Sequence, residues 1–269
     1  MFFIRRQEMV ASQTQDRLRG PRRTAAWALV LANLFIAARI NAAEPTWAKA
    51  AVALEPPCDH GPSAPLQRIS SPDRTAIAEI DCRRSDRDYG PIVRVISHGW
   101  TQTLPLVDPG NDLWRPQELL WSPDSRMFLV NGGENAYAGF GVVVYELGEA
   151  ALVRHDVTAS AQKDMLVRFP PCKALNADDS DCKRMEADPD FNMSAIAWTN
   201  GSSNIVVFAE VPCSSSYGGI MCQVQGYELD AKTGRILKRL DARELKRQWQ
   251  TSAAWNIRIP EPAEYKRPR

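Results

Sequence analysis

The feature that most constrains the fold of this chain is a tripeptide, Ser-Pro-Asp, that separates pairs of apolar segments. In the clearer copy, an apolar segment ending at Trp121 is followed by Ser122-Pro123-Asp124-Ser125 and then by the largely apolar residues 126–130. Proline fixes φ at the second position of a tight turn, and Ser and Asp side chains can hydrogen-bond the turn backbone. The tripeptide therefore predicts a hairpin turn between two β-strands.

Two further strands complete the segment that contains this turn. A glycine-rich stretch, residues 132–139, leads to a third predicted strand at 140–147, and residues 150–156 form a fourth. Four short strands separated by turns are typical of an antiparallel meander. We therefore interpret residues 117–156 as one four-stranded unit.

The same arrangement recurs twice along the chain. Residues 66–107 contain Ser71-Pro72-Asp73, and residues 194–240 contain the substituted turn Thr199-Asn200-Gly201-Ser202. Independently of the turn, Tyr227-Glu228-Leu229 repeats Tyr145-Glu146-Leu147. A recurring unit of this size indicates a repeat architecture. We predict an all-β array of four-stranded antiparallel units, with an unmatched insertion at 157–193.

One helix is predicted near the end of the chain. Asp241 followed by Glu244 matches a capping box ahead of residues 245–249. The fold prediction therefore adds a short C-terminal helix to the β-sheet units.

The hexapeptide from Trp121 to Arg126, with the strand that follows it, resembles the WD40-like Ser-Pro-Asp repeat of TolB-type β-propellers. That family usually carries glycine where Ser125 stands. The resemblance implies blades around an axis, so that the all-β array would be β-propeller-like. It implies no particular activity, because one fold hosts many functions. Closed propellers usually have four to eight blades. The sequence shows three units, so a closed propeller would need further strands from the segment after residue 43, from the insertion or from residues 255–259. Otherwise the fold is a partial propeller or a sandwich.

The N-terminal residues have the pattern of an export signal. Basic residues up to Arg23 precede an apolar run at 25–38 and small residues at 41–43. The run is shorter than the roughly 20 apolar residues of a membrane-spanning helix. We predict a signal peptide over 1–43 and one periplasmic or secreted domain over 44–269, without a stable membrane span after cleavage. An uncleaved anchor is the alternative, and Arg22-Arg23 also permits a twin-arginine route.

The charge balance of the chain argues against nucleic acid as a partner. The 33 Lys and Arg residues nearly balance 32 Asp and Glu residues, so the large basic field of a nucleic-acid-binding protein is not expected.

Disulfides persist in oxidising compartments, and six cysteines allow 15 pairings. The cysteines lack the close C-x-x-C spacing of a zinc site, so we expect neither zinc nor another cofactor. We predict three disulfides, of which the first follows by elimination: Cys58–Cys82, Cys172–Cys182 and Cys213–Cys222.

Each unit carries a tyrosine one or two residues before a glycine between its second and third strands, at Tyr89, Tyr137 and Tyr217. In a propeller, such loops project from one face and could form an aromatic binding surface, since tyrosine offers contact area with a polar tip. The alternative is that these tyrosines pack against the next blade. A disulfide between Cys213 and Cys222 would clamp one of the loops, either for binding or simply to staple a long hairpin.

Other candidate chemistry is weak. The acidic residues 176–181, with Asp188 and Asp190, lack the glycine and closing glutamate of a calcium loop, which favours a solvated loop. His60, His98 and His155 lie in no hydrolase motif, so no catalytic residue is assigned. We predict an exported, non-enzymatic binding protein, for example an immunity or inhibitor protein or an envelope scaffold. The alternative is an envelope hydrolase or sugar-active enzyme on a propeller.

Overall fold

A computed structural model of the chain describes residues 47–54, 66–81, 92–104, 115–133, 140–170, 183, 186–187, 191–213 and 220–259. All of them belong to one compact unit, Ala43–Arg269. The predicted signal peptide, residues 1–43, lies outside the described ranges.

Strands dominate the described part of the chain. In chain order they are β1 (Val52–Ala53), β2 (Gln67–Ser70), β3 (Ala76–Asp81), β4 (Ile92–Ser97), β5 (Trp100–Thr103), β6 (Arg115–Trp121), β7 (Met127–Gly133), β8 (Phe140–Leu147), β9 (Leu152–Asp156), β10 (Asn192–Thr199), β11 (Asn204–Glu210), β12 (Val224–Asp230) and β13 (Ile236–Asp241). Two short α-helices accompany them, α1 (Ala159–Arg168) and α2 (Ala242–Trp249).

The strands form three antiparallel sheets, and apart from β1, which pairs with β6, strands that are consecutive in a sheet are consecutive in sequence. Sheet 1 has the order β2-β3-β4-β5, sheet 2 the order β1-β6-β7-β8-β9, and sheet 3 the order β10-β11-β12-β13. The predicted all-β class and the four-stranded antiparallel units are therefore confirmed. Sheet 2 gains a fifth strand, β1, which the sequence did not predict.

The sheets stack face to face through apolar side chains. One core lies between sheets 1 and 2 and includes Ala78, Val95 and Phe128. A second lies between sheets 2 and 3 and includes Leu129 and Val207. Burial of such faces provides the main favourable free energy of the fold.

One equivalent hydrogen bond joins sheet 2 to sheet 1 and sheet 3 to sheet 2. The indole of Trp121 donates to the Ile69 carbonyl, and the indole of Trp198 donates to the Leu120 carbonyl, each over 3.3 Å. Both acceptors lie two residues before the turn of the preceding unit. The tryptophans therefore occupy equivalent positions in sheets 2 and 3.

The turns also bond to one another. The Asp73 N–H donates to Ser125 Oγ over 3.0 Å, and the Asp124 N–H donates to Ser202 Oγ over 3.2 Å. Ser125 and Ser202 have left-handed φ angles of 64° and 81°, and Arg74, the equivalent residue of sheet 1, has 64°. Glycine adopts this conformation without steric cost. Serine is disfavoured there, but its hydroxyl supplies the contact between units.

Within the two Ser-Pro-Asp turns, those of sheets 1 and 2, the aspartate holds the backbone in place. Ser122 Oγ donates to Asp124 Oδ1 over 2.7 Å, and the Arg126 N–H donates to the same oxygen over 3.2 Å. Asp73 makes matching bonds, and the N–H of Thr75 contributes most to lowering its pKa to about 2. The Ser-Pro-Asp sequence is therefore a structural element of the repeat.

Helix α1 lies in the predicted insertion and was not expected from the sequence. Its residues Ala161 and Met165 are fully buried in the core between sheets 2 and 3. Asp164 accepts hydrogen bonds from the Tyr227 hydroxyl over 2.9 Å and from Arg239 Nε over 3.0 Å. The helix is thereby tied to sheet 3.

Helix α2 confirms the predicted capping box and covers the outer face of sheet 3. Asp241 accepts from the Glu244 N–H, and the Glu244 side chain accepts from the Asp241 N–H. Leu245 packs onto Gly226 in a core with Phe208 and Ile257. A Cβ at position 226 would lie 2.7 Å from Leu245 Cδ1, so the absent side chain allows the helix to approach.

We predict that Ser125→Ala lowers the free energy of unfolding by about 1–2 kcal/mol, since the Asp73 N–H loses its acceptor while the left-handed φ remains. Ser125→Gly loses the same acceptor but relieves the backbone cost, and should be less destabilising by about 1 kcal/mol. Urea denaturation of both variants measures the difference. The same order is expected at Ser202, and equal values for Ala and Gly would contradict the backbone argument.

We predict that Gly226→Ala destabilises the protein by about 1–3 kcal/mol, because the new methyl group overlaps Leu245. Leu245→Ala alone should cost about 2–5 kcal/mol. In the double variant the overlap with Leu245 is gone and only the 3.0 Å contact with Leu240 Cβ remains, so the combined loss should be smaller than the sum. Strictly additive losses in denaturant unfolding would show that the helix does not press on position 226.

Candidate functional site

The hydrogen bonds between turns align the three sheets, which places equivalent connections at the same edge. We call the edge formed by the Ser-Pro-Asp-type turns the turn edge. The strand that follows each turn (β3, β7 and β11) runs away from it, so its connection to the next strand leaves from the opposite edge, the loop edge. The strand ends there are Asp81 and Ile92, Gly133 and Phe140, and Glu210 and Val224.

The three predicted binding residues belong to these connections. Tyr89, Tyr137 and Tyr217 all lie outside the described residues. The strands that flank each of them end at the loop edge, as the repeat predicts. An aromatic surface formed by the three side chains stays a prediction.

A disulfide closes the connection of sheet 3 at this edge. Cys213 and Cys222 are bonded, with their Cα atoms 4.5 Å apart, which confirms that predicted pair. Beside the disulfide, Val211 exchanges backbone hydrogen bonds of 2.9 Å with Cys222 and Gln223. The connection that contains Tyr217 is therefore clamped at its base. Cys58, Cys82, Cys172 and Cys182 lie outside the described residues.

A half-buried carboxyl group stands next to the clamp. Glu210 ends β11, and Asn192 Nδ2 lies 3.5 Å from its Oε2. Burial raises the pKa of Glu210, while the Asn192 hydrogen bond and the charge of Arg258 oppose that shift. Glu210 thus holds a proton at higher pH than an exposed glutamate, and it offers a hydrogen-bonding group at the loop edge.

The described histidines do not form a reaction centre. His98 lies in the tight turn between β4 and β5 with a φ of 46°. His155 Nε2 is 3.3 Å from Glu146 Oε2, and Lys232 Nζ donates to the other oxygen of Glu146 over 2.5 Å. The Lys232 bond is the main cause of the lowered pKa of Glu146. This ion pair joins sheets 2 and 3.

Other sequence candidates fall outside the described ranges, or receive no support within them. His60 and the acidic residues 176–181, Asp188 and Asp190 are not among the described residues. Within the part of the chain that is described, no group of three His, Cys, Asp or Glu residues is placed to hold a metal ion.

Sequence reasoning missed a buried polar centre at Glu118. This residue is 1% exposed, and its Oε2 accepts from the Trp47 N–H over 2.5 Å. Oε1 accepts from the Ala48 N–H over 3.2 Å and from Asn131 Nδ2. Asn131 also bonds both backbone groups of Ala195 over 2.8 and 2.9 Å. The centre therefore links sheet 2 to sheet 3 and to the N-terminal segment.

Burial is the main cause that raises the pKa of Glu118 to about 7, against the opposing effect of its three hydrogen bonds. A shifted carboxyl can mark a catalytic acid or base when it lies in a cleft. Glu118 is instead enclosed by the N–H groups of Trp47, Ala48 and Asn131, which all donate to its carboxyl group. The only sequence signal is a charged residue beside the apolar Leu119 and Leu120.

Comparison with known proteins gives no family assignment: no protein-family model matches the chain, and no curated protein matches it significantly. Among the described residues, no helix has the length and apolar character needed to cross a membrane.

Replacing Cys213 and Cys222 together by serine should lower the free energy of unfolding by about 2–3 kcal/mol, the chain-entropy value for a loop of this length. Because the clamp restrains only one connection, the far-ultraviolet circular dichroism of the folded variant should match that of the parent protein. Thermal and urea unfolding give the stability change. A variant as stable as the parent would mean that the bond adds no restraint to the unfolded chain.

Proposed function

We propose that this chain is an exported, non-enzymatic binding protein with a propeller-like arrangement of units, and that it contacts a protein partner through the connections at its loop edge. One observation carries the proposal: the connection between Cys213 and Cys222 is covalently clamped, and it leaves from the same edge as the equivalent connections of sheets 1 and 2. An exported location agrees with the disulfide, since such bonds persist outside the cytosol.

Physical reasons connect a clamped connection with binding. A restrained loop has less conformational entropy to lose on contact, so more of the interaction free energy appears as affinity. Tyrosine combines a large apolar area with a hydroxyl, which makes it common at the centres of interfaces. A surface formed by Tyr89, Tyr137 and Tyr217 would therefore suit a folded protein partner such as an exported toxin or an envelope component.

The turn edge is less suited to this role because its polar groups are already used within the fold. Asp124 accepts from the Arg126 N–H of its own turn, and Ser202 accepts from the Asp124 N–H. Asp230, in the turn between β12 and β13, accepts from the Thr233 N–H and hydroxyl. No observation in the described residues favours the hydrolase alternative.

Site-specific crosslinking from cells tests the proposal. A photo-reactive phenylalanine analogue placed at Tyr89, Tyr137 or Tyr217 should form one discrete adduct of the same added mass at more than one position. Matched probes at Arg126 and Thr233, which are exposed at the turn edge, should not form it. The adduct is identified by mass spectrometry, and its binding is then measured with purified components.

The purified partner should bind Tyr217→Ala at least tenfold more weakly than the parent, whereas Tyr217→Phe, which keeps the ring, should lose less. Adducts that form equally from both edges, or from neither, would reject the loop edge as the binding surface. Turnover of a substrate by the purified protein would reject the non-enzymatic assignment.

A further inference from the structure

We propose that Glu118 is a proton-dependent latch for residues 47–54, so that docking of this N-terminal segment weakens as the pH rises through neutrality. The inference is independent of the proposed function, because it concerns an internal contact of the fold.

Glu118 holds the segment at two places. Its carboxyl group accepts the backbone N–H groups of Trp47 and Ala48 over 2.5 and 3.2 Å. Farther along the segment, Ala53 of β1 pairs with Glu118 itself in the sheet register, and Val52 pairs with Leu119. The side chain thus fixes the start of the segment, while the backbone of the same residue pairs with its strand.

The latched segment joins parts of the molecule that are distant in sequence. The ring of Trp47 lies 4.5 Å from that of Trp255 and 6.0 Å from that of Phe208, measured between centroids. The Lys49 N–H donates to the Ser252 carbonyl over 2.8 Å, and the Ala254 N–H donates to the Trp47 carbonyl over 3.1 Å. Release of the segment would therefore uncover the apolar core beneath helix α2.

Within the described ranges, no cationic side chain contributes to the pKa of the buried carboxyl group. Among the described residues of the elements packed against it, the charged side chains are Lys49 in the segment and Arg258 near the C-terminus, and both are exposed. The facing residues of β7 and β10, Asn131 and Ala195, are neutral. Burial raises the pKa of Glu118 to about 7, as expected when the charged form loses hydration.

The sign of the effect follows from that shift. With its proton bound, the group is neutral, and its oxygens retain the capacity to accept hydrogen bonds. The group therefore stabilises the docked state most strongly below the ordinary glutamate pKa. This stabilisation is lost as the pH rises through about 7. If the released segment exposes Glu118 to water, the opening equilibrium constant increases about tenfold between pH 6 and pH 8.

Hydrogen exchange of the full chain, measured at pH 6, 7 and 8 and corrected for intrinsic exchange rates, tests the latch. Protection of the amides in residues 47–54 should fall about tenfold from pH 6 to pH 8, relative to amides of β11 as an internal reference. In Glu118→Gln, which cannot ionise, the segment should show no such pH dependence.

Glu210→Gln is the matched control, since it removes another carboxyl group whose pKa is raised by burial. It should leave the pH response of residues 47–54 intact. Constant protection of this segment in the parent protein would overturn the latch, even if Glu118→Gln failed to fold. The same response persisting in a folded Glu118→Gln protein would assign the pH dependence to another group.

Discussion

The contact between successive turns is the interaction on which the rest of this structure depends. Stacked apolar faces are attracted without strong directional preference, so burial alone does not fix how one sheet is oriented on the next. The hydrogen bonds from Asp73 to Ser125 and from Asp124 to Ser202 supply that direction. Each net contribution is about 1 kcal/mol, yet together with the tryptophan indoles they set the turns side by side. All three long connections therefore leave from one edge.

Sheets 1 and 3 differ from the pattern of sheet 2. In sheet 2, Trp121 and Ser125 bond to the preceding unit. Sheet 1 carries Ser70 and Arg74 at the equivalent positions. On the face opposite its core, Arg94 lies within 3.5 Å of Glu79 and 3.4 Å of Asp81. Sheet 3 instead accommodates a helix over Gly226. Repeat proteins need distinct terminal surfaces to stay soluble, and within the described residues the outward faces of sheets 1 and 3 have this character.

The features predicted correctly from the sequence are those encoded by neighbouring residues. The Ser-Pro-Asp turns, the capping box from Asp241 to Glu244 and the Cys213–Cys222 disulfide each depend on residues within about ten positions. Helix α1 and the role of Glu118 depend on distant contacts. Asp164 bonds Tyr227, which is 63 residues away, and Glu118 bonds Trp47, which is 71 residues away. No local pattern reports such pairs, so propensity and periodicity did not predict them.

The two edges of the array are under different physical constraints. At the turn edge, Ser125 combines an unfavourable φ with a hydroxyl acceptor, so a side chain without a hydroxyl at this position loses the bond between the turns of sheets 1 and 2. At the loop edge, the connections from Asp81 to Ile92, from Gly133 to Phe140 and from Glu210 to Val224 differ in length, while the strands that carry them keep their register. The clamp at Cys213 and Cys222 restrains the longest of them at its base. A surface that can vary without unfolding its scaffold is the one on which specificity for a partner can be built.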